Sequence, residues 1–246
     1  MAQRVEDLAI GSVTTWAGVT RVAAAAAAVR TTFLPEWRED TRPQAGASQC
    51  VVERADDPAA ERQLRQALDE LAAYFAGTRH TFEVALDPCG TAFYRRAWEA
   101  VARVPYGETR TYAEIARAIG APAATRAVGA ANGANPVAPF VPCHRIVGSD
   151  GALTGYGPGL PLKRRLLVME GALPASPDDY AAWLGRVGAR LGTGDVYLGL
   201  RGVRVYCRPD CPRARAQWSL PARAFAAATE ASTVGFAPCP ICRPDA

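Results

Sequence analysis

Residues 105–148 read PYGETRTYAEIARAIGAPAATRAVGAANGANPVAPFVPCHRIVG. The first half spells two short helices. Pro105-Tyr106-Gly107 interrupts what precedes it. Thr111 then stands at an N-cap position with Glu114 three residues on, the capping-box spacing, ahead of a helix over 112–119. Gly120-Ala121-Pro122 is a turn, and a second helix is expected over 124–132. Two short helices joined by a tight Gly/Pro turn have the form of a helix-turn-helix. The second half is an apolar run, 137–141, that ends on Pro142-Cys143-His144-Arg145.

Working outward, the upstream segment is mixed α/β. Residues 58–75 form an amphipathic helix, because Leu64, Leu68, Leu71 and Phe75 recur at three- and four-residue spacing. Residues 13–33 are rich in Val, Thr and aromatics and predict strands joined by short turns. The run of six alanines within them favours helix by propensity, so the two signals compete. Residues 40–48, with Pro43 and Gly46, predict a loop, and 81–86 alternate like a strand. A helix over 92–104 places Phe93, Ala97, Trp98 and Val101 on one face. Downstream, 163–170 predicts a helix ended by Gly171. A Pro/Ser/Asp stretch from Pro174 to Asp179 has the composition of a linker. The expected organisation is an α/β segment over 1–87, a helical segment over 88–173 and a small α+β domain over 174–246.

The chain has 246 residues and a net charge of +4, from 28 Lys+Arg against 24 Asp+Glu. Lys163 is its only lysine. A weakly basic, arginine-carried balance is compatible with phosphate contacts, and equally with codon usage in a GC-rich genome. No stretch of about 20 apolar residues predicts a membrane span. The alanine run makes a poor signal peptide, which leads to an expectation of a cytoplasmic protein, associated with the nucleoid in action. Seven cysteines in a reducing compartment suggest metal binding or catalysis rather than disulfides.

Cys143 is a candidate nucleophile because a neighbouring His or Arg lowers a thiol pKa, and His144 is one of two histidines in the chain. The dipeptide alone decides little, since a buried cysteine is ordinarily an inert small hydrophobe. Its surroundings are more specific. Gly90-Thr91-Ala92-Phe93, Trp98-Glu99-Ala100, Pro105-Tyr106-Gly107-Glu108-Thr109, Tyr112-Ala113-Glu114-Ile115-Ala116, Arg126 through Asn132, Asn135-Pro136, Pro142 through Gly148, Gly155-Tyr156 and Lys163-Arg164 through Glu170-Gly171 follow one another in the order and spacing of a known family. The sequence resembles the O6-alkylguanine-DNA alkyltransferases over about residues 85–172, and more weakly over 1–84.

That resemblance implies a ribonuclease-H-like N-terminal sheet and helix, then a mainly α, winged helix-turn-helix-like domain. It also implies direct reversal of DNA damage in a single turnover. Cys143 would accept the alkyl group from O6-alkylguanine, with O4-alkylthymine a second substrate of the same chemistry. His144 would deprotonate Cys143 through a water and Glu170 would orient His144, in the logic of a hydrolase triad. Asn135 would hold the active-site turn, and Tyr112 would donate a proton to the departing base or help rotate its phosphate. A base in a duplex must be flipped out to reach such a sulfur. Arg126 would fill the vacated place, and the small residues Ala127 and Gly129 would let their helix approach the groove. Val141, Tyr156 and Arg145 complete the expected substrate- and DNA-binding set. The expected partner is double-stranded DNA bearing alkylated guanine, bound by a monomer away from any membrane. Transfer to Cys143 requires no cofactor. The rival is a damage sensor or DNA-binding regulator that transfers nothing; in such proteins the acceptor cysteine is replaced, whereas Cys143 is present.

The tail holds Cys207-x3-Cys211 and Cys239-x2-Cys242, the ligand count of a structural tetrahedral zinc site. The pieces Tyr206-Cys207-Arg208-Pro209-Asp210-Cys211, Gly235 through Cys239 and Cys242-Arg243-Pro244-Asp245 resemble the zinc-binding domain of Ada-type repair proteins. That resemblance implies one zinc on all four cysteines and a possible role for Cys207 as a second acceptor, for methylphosphotriesters. In Ada the zinc domain comes first and a further helix-turn-helix domain follows; here it comes last and that further domain is missing. Cys50 and Cys89 match no motif.

Overall fold

A computed structural model describes residues 8–34, 49–54, 56–220 and 222–244. The loop expected over 40–48 lies outside them. In chain order the elements begin with strands β1 (Ala9–Thr15), β2 (Gly18–Ala24), β3 (Val29–Phe33) and β4 (Gln49–Arg54). Then come α1 (Pro58–Phe75), α2 (Ala92–Ala102), β5 (Arg110–Thr111), α3 (Tyr112–Ala118) and α4 (Thr125–Gly133). A 3-10 turn, Cys143–Arg145, leads into β6 (Ile146–Val147) and α5 (Leu160–Met169). The tail carries α6 (Tyr180–Leu191), β7 (Tyr197–Leu200), β8 (Val205–Cys207), α7 (Pro212–Ala216), β9 (Arg223–Phe225), α8 (Ala228–Thr233) and β10 (Ala237–Pro238). No helix among the described residues is long and apolar enough to cross a membrane.

The chain divides into two compact units. The first comprises residues 1–103, 115–143 and 155–163; the second comprises 104–114, 144–154 and 164–246.

In the first unit an antiparallel sheet of order β3-β2-β1-β4 carries α1 on one face. The helix buries Ala60, Leu64, Ala67, Leu68, Leu71 and Phe75, the stripe its periodicity predicts, and Asp57 caps it by accepting from the Ala59 N–H at 2.8 Å. The alanine run is not helical. Ala25 and Ala28 exchange both backbone hydrogen bonds and close the β2–β3 hairpin. Strand pairing of the flanking residues, Val22 with Thr32 and Ala24 with Val29, overrides alanine's helix propensity. The strand expected over 81–86 reduces to one bridge, Val29 with Leu86. Its start is held by a side chain instead: the buried Glu70 carboxylate accepts from the N–H groups of Glu83 and Val84 and pairs with Arg79. Helix α2 packs on α4, with Trp98 Nε1 donating to the Ala131 carbonyl at 2.7 Å.

Edge strand β3 touches the segment leading to Cys143. The Thr32 N–H donates to the Pro136 carbonyl at 2.7 Å, and the Thr32 hydroxyl to Ala138. The N-terminal sheet therefore buttresses the approach to the active-site turn.

In the second unit β5 and β6 pair in parallel, Arg110 with Ile146 and Thr111 with Val147. A second sheet has the order β10-β8-β7-β9. Its core is Trp183, Val187, Leu198 and Leu200, continuous with Cys207, Cys211 and Cys239. Trp183 Nε1 donates to the Gly171 carbonyl at 3.0 Å, and the Tyr180 hydroxyl to the Pro209 carbonyl at 3.2 Å. The capping box forms as its spacing predicts: the Glu114 N–H donates to Thr111 Oγ1, and the Thr111 N–H donates to Glu114 Oε2 at 2.7 Å.

Candidate active site

Cys143 is 5% exposed and lines a cavity of about 320 Å³ together with Asn132, Asn135 and Tyr156, and with Thr32 and Leu34. That volume is in the range of small-molecule sites. The turn is held by amides from the end of α4 and the loop after it. Asn135 Nδ2 donates to the Val141 carbonyl at 2.7 Å, while its Oδ1 accepts from the Val137 N–H at 3.1 Å. Asn132 Nδ2 donates to the Cys143 carbonyl at 3.2 Å. Asn135 therefore ties Val137 and Val141 together in the stretch before Cys143. Asn132, quoted only within a motif, shares the task.

Lys163 is fully buried in the same unit. Burial pulls its ammonium down to about 8, and the negative charge available at Cys143 works in the opposite direction. A lysine is ordinarily kept in water, so a fully buried one is a built feature. The sequence signal was its singularity, a lone lysine in a chain that otherwise uses arginine.

The next residues along the turn open a charged network. His144 Nε2 lies 2.9 Å from Glu170 Oε1, both side chains fully buried. Arg145 grips the same carboxylate with two nitrogens, Nε to Oε2 at 2.9 Å and Nη2 to Oε1 at 2.8 Å. Its Nη1 donates to the Val104 carbonyl at 2.6 Å. Burial opposes ionisation of Glu170, but His144 and Arg145 outweigh it and hold the carboxyl at about 2. Burial and Glu170 together push the Tyr106 phenol, which donates to the Met169 carbonyl, up to about 12.

Two expectations change here. Arg145 was expected among the DNA-binding residues, but it is 5% exposed with its donors committed to Glu170 and Val104, so it stands behind the histidine. Val141 was expected in the substrate-binding set, but its carbonyl oxygen already accepts from the Cys143 N–H at 2.9 Å and from Asn135. Both of its lone pairs are used.

The remaining expected residues take varied positions. Tyr156 is half-buried and lines the cavity. The Tyr112 hydroxyl donates to the Thr154 carbonyl at 3.4 Å. On α4, Arg126 and Ala127 are exposed with Ala130 and Gly133, Gly129 is half-buried, and Val128, Ala131 and Asn132 face inward. The outer face of α4 is therefore small-residued, with one arginine near its start.

In the tail, the Sγ atoms of Cys207, Cys211, Cys239 and Cys242 all lie within 4.8 Å of one another. Cys211 and Cys239 are 4.0 Å apart. Four sulfurs about 2.3 Å from one tetrahedral ion would be about 3.8 Å apart, so the cluster fits zinc. Cys207 is fully buried, and Cys242 is the most exposed of the four. The Arg208 N–H points at Cys242 Sγ at 3.4 Å. Cys50 and Cys89 are exposed and belong to neither site.

Residues 92–172 match the family model described as 6-O-methylguanine DNA methyltransferase, DNA binding domain. Residues 189–245 match the model described as metal binding domain of Ada. The methylated-DNA–protein-cysteine methyltransferase of Mycobacterium bovis is 59% identical over 104 residues, 42% of this chain and 63% of the relative. That of Methanosarcina acetivorans is 54% identical over 112 residues, 46% of this chain and 72% of the relative. The crystal structure of Mycobacterium tuberculosis OGT in complex with DNA is 43% identical, with a TM-score of 0.53, over 65% of this chain and 90% of that one. The chain spans 63% of the length of the first mycobacterial relatives. Identity above one half across most of the methanosarcinal relative, and the match to the solved structure, place this chain in the methylated-DNA–protein-cysteine methyltransferase family.

Proposed function

We propose that the protein repairs alkylated DNA by moving an alkyl group from the O6 of guanine to Cys143 in a single turnover. The observation that carries this is a buried cysteine lining a base-sized cavity, followed in the chain by a histidine fixed on a buried, ionised Glu170. With Nε2 committed to Glu170, His144 takes the thiol proton at Nδ1 through a water. Glu170 stabilises the imidazolium, and Arg145 keeps Glu170 charged and in place. The buried Lys163 ammonium favours the Cys143 thiolate over the thiol.

The thiolate sulfur attacks the alkyl carbon. An S–C bond forms, the C–O6 bond breaks, and its electron pair stays on the guanine oxygen. Tyr112 supplies the proton that the departing base needs. The thioether has no route back to a thiol, so each chain acts once. The cavity admits one base, which must leave the stack to enter it. The small outer face of α4 suits close approach to a groove, with Arg126 placed to fill the gap.

The same reading takes the sheet and α1 as ribonuclease-H-like and α3–α4 as a winged helix-turn-helix. It has a monomer acting on duplex DNA in the cytoplasm. In the tail, Cys207, Cys211, Cys239 and Cys242 would hold one zinc, which supplies deprotonated, nucleophilic sulfur at neutral pH. Cys207 as a second acceptor rests on the Ada resemblance. Its burial means that a phosphotriester reaches it only if the surrounding turn opens.

Peptide mass spectrometry after incubation with duplexes carrying O6-methylguanine or a methylphosphotriester tests both acceptors. One methyl on the Cys143 peptide with the first duplex is expected. No modified peptide with either duplex would leave a sensor. Absence of methyl from the Cys207 peptide with the second duplex would confine the tail to binding.

A further inference from the structure

Arg201 lies in the turn after β7, in the four-cysteine tail, and its side chain is 4% exposed. It reaches far back along the chain. Nη1 donates to Glu114 Oε2 at 2.9 Å, and Nη2 donates to the Thr109 carbonyl at 2.8 Å and to Thr109 Oγ1 at 3.2 Å. Arg223, on β9, adds a donor to the other Glu114 oxygen at 3.2 Å. One guanidinium therefore grips both ends of residues 109–114. Between those ends lie β5, which pairs with the strand directly following His144 and Arg145, and Tyr112, the first residue of α3.

We propose that Arg201 is a positioning residue for alkyl transfer: it fixes the segment that presents Tyr112, and thereby makes the four-cysteine module a working part of the alkyltransferase site. This rests on the role given to Tyr112 above. The Thr111–Glu114 capping box already satisfies the helix start locally, so α3 does not need Arg201 in order to form. The arginine adds a long-range constraint. Burial opposes ionisation of Glu114, yet Arg201, the Thr111 N–H and hydroxyl, and Arg223 together hold its carboxyl below the usual range. Without Arg201, the Glu114 charge stays half-buried with fewer partners, two residues from Tyr112.

The anchor belongs to the metal-site hairpin. Leu200 pairs with Val205 and Leu198 pairs with Cys207 across β7 and β8. Arg201 is thus three residues, about 10 Å of strand, from the position opposite the first cysteine. A second contact supports the same docking. Gly107 has φ +76°, and a Cβ there would lie 2.1 Å from Arg190 Nη1 and 2.7 Å from the Glu170 carbonyl. The Arg190 guanidinium of α6 thus lies against the turn that precedes Thr109, while the positive φ and the Glu170 carbonyl favour glycine at 107.

The test uses the full-length, zinc-loaded chain. Single-turnover transfer is measured at saturating O6-methylguanine duplex, together with duplex Kd and amide exchange over residues 109–114. Arg201→Met should slow transfer about tenfold, leave Kd within twofold, and speed exchange at 110–114. Arg201→Lys, which keeps the charge and loses the fork, should recover part of the rate. In a Tyr112→Phe background Arg201→Met should have little further effect, because both act through one hydroxyl. Should Arg201→Met fail to fold, Arg223→Met is the milder variant, expected to slow transfer two- to threefold. Wild-type rate and exchange in Arg201→Met, or in Arg223→Met where that variant stands in, would overturn the proposal. So would losses that simply multiply with Tyr112→Phe. Absence of transfer by the wild-type chain would instead overturn the proposed function and leave the contact a structural one.

Discussion

Cys143 and Cys207 are both buried, yet their surroundings differ in kind. Around Cys143 the protein supplies single, dissimilar partners: Asn132 on its carbonyl, a buried Lys163, and next in the chain a histidine on an ionised Glu170. Around Cys207 stand three other sulfurs, all four within 4.8 Å of one another. Burial alone raises a thiol pKa, so each site needs an agent that favours thiolate. At Cys143 the proposed agent is side-chain charge, from the buried Lys163 and the His144–Glu170 pair. In the tail the proposed agent is a cation held by the four sulfurs, whose spacing fits zinc. Burial makes a cysteine inert only where no such agent has been built in.

This contrast can be broken or sharpened by experiment. The largest effect should come from stripping metal. Structural zinc contributes about 10–16 kcal/mol in small domains. A strong chelator should therefore erase slow amide exchange across β7–β10 while leaving β1–β4 and α1 protected. Protection retained in β7–β10 would show that the tail holds itself together without metal.

Glu170→Gln comes next. It leaves His144 without its anion and Arg145 buried without its partner. Transfer should fall by about 10²- to 10⁴-fold, the usual worth of a positioned acid–base group. Stability should fall by about 3–5 kcal/mol. The wild-type pH dependence carries the same signature. The folded carboxyl is held at about 2, below the ordinary value of 4.5. Its contribution to stability is complete above about pH 4.5 and disappears as pH falls toward 2. Urea titrations of wild type and variant across that window should converge at the acid end.

Lys163→Met should act more gently. The folded ammonium titrates at about 8 against an ordinary 10.5. The unfolded chain therefore holds a proton that the folded chain has released between those values, and wild-type stability should rise from pH 8 to 10.5. The variant should lack that rise and be more stable at neutral pH, while transfer slows several-fold. Equal transfer rates at pH 7 would remove Lys163 from the account of Cys143. Asn132→Ala is the smallest change. Losing one hydrogen bond to the Cys143 carbonyl should cost about 1 kcal/mol, read as a fall in melting temperature with the duplex Kd unchanged.

The sequence made some of this legible and hid the rest for physical reasons. Helix α1 and the Thr111–Glu114 capping box are local patterns, and they appear as their spacing predicts. The alanine run misleads because its conformation is set by strand pairing on either side. Residues 81–86 alternate like a strand, yet they are held by Glu70 from α1 rather than by a ladder. At the site, Cys143, His144, Glu170 and Asn135 were named from motif register, and the structure gives each of them a partner or a cavity. The placement of Arg145 was not legible. An arginine beside a catalytic pair suits DNA as well as a carboxylate, and only the 25-residue reach to Glu170 decides between them. Arg201 was invisible for the same reason, since its partners Glu114 and Thr109 lie 87 and 92 residues away.

The central claim concerns Cys143, and intact mass spectrometry tests it most directly. Wild type and Cys143→Ala would each be mixed with excess duplex carrying a single O6-methylguanine. Wild type should gain one methyl per chain and stop there, with guanine restored in the duplex. Cys143→Ala should gain none. Methyl transfer from guanine to the Cys143→Ala chain, or an unmodified wild-type chain beside unrepaired duplex, would contradict the account.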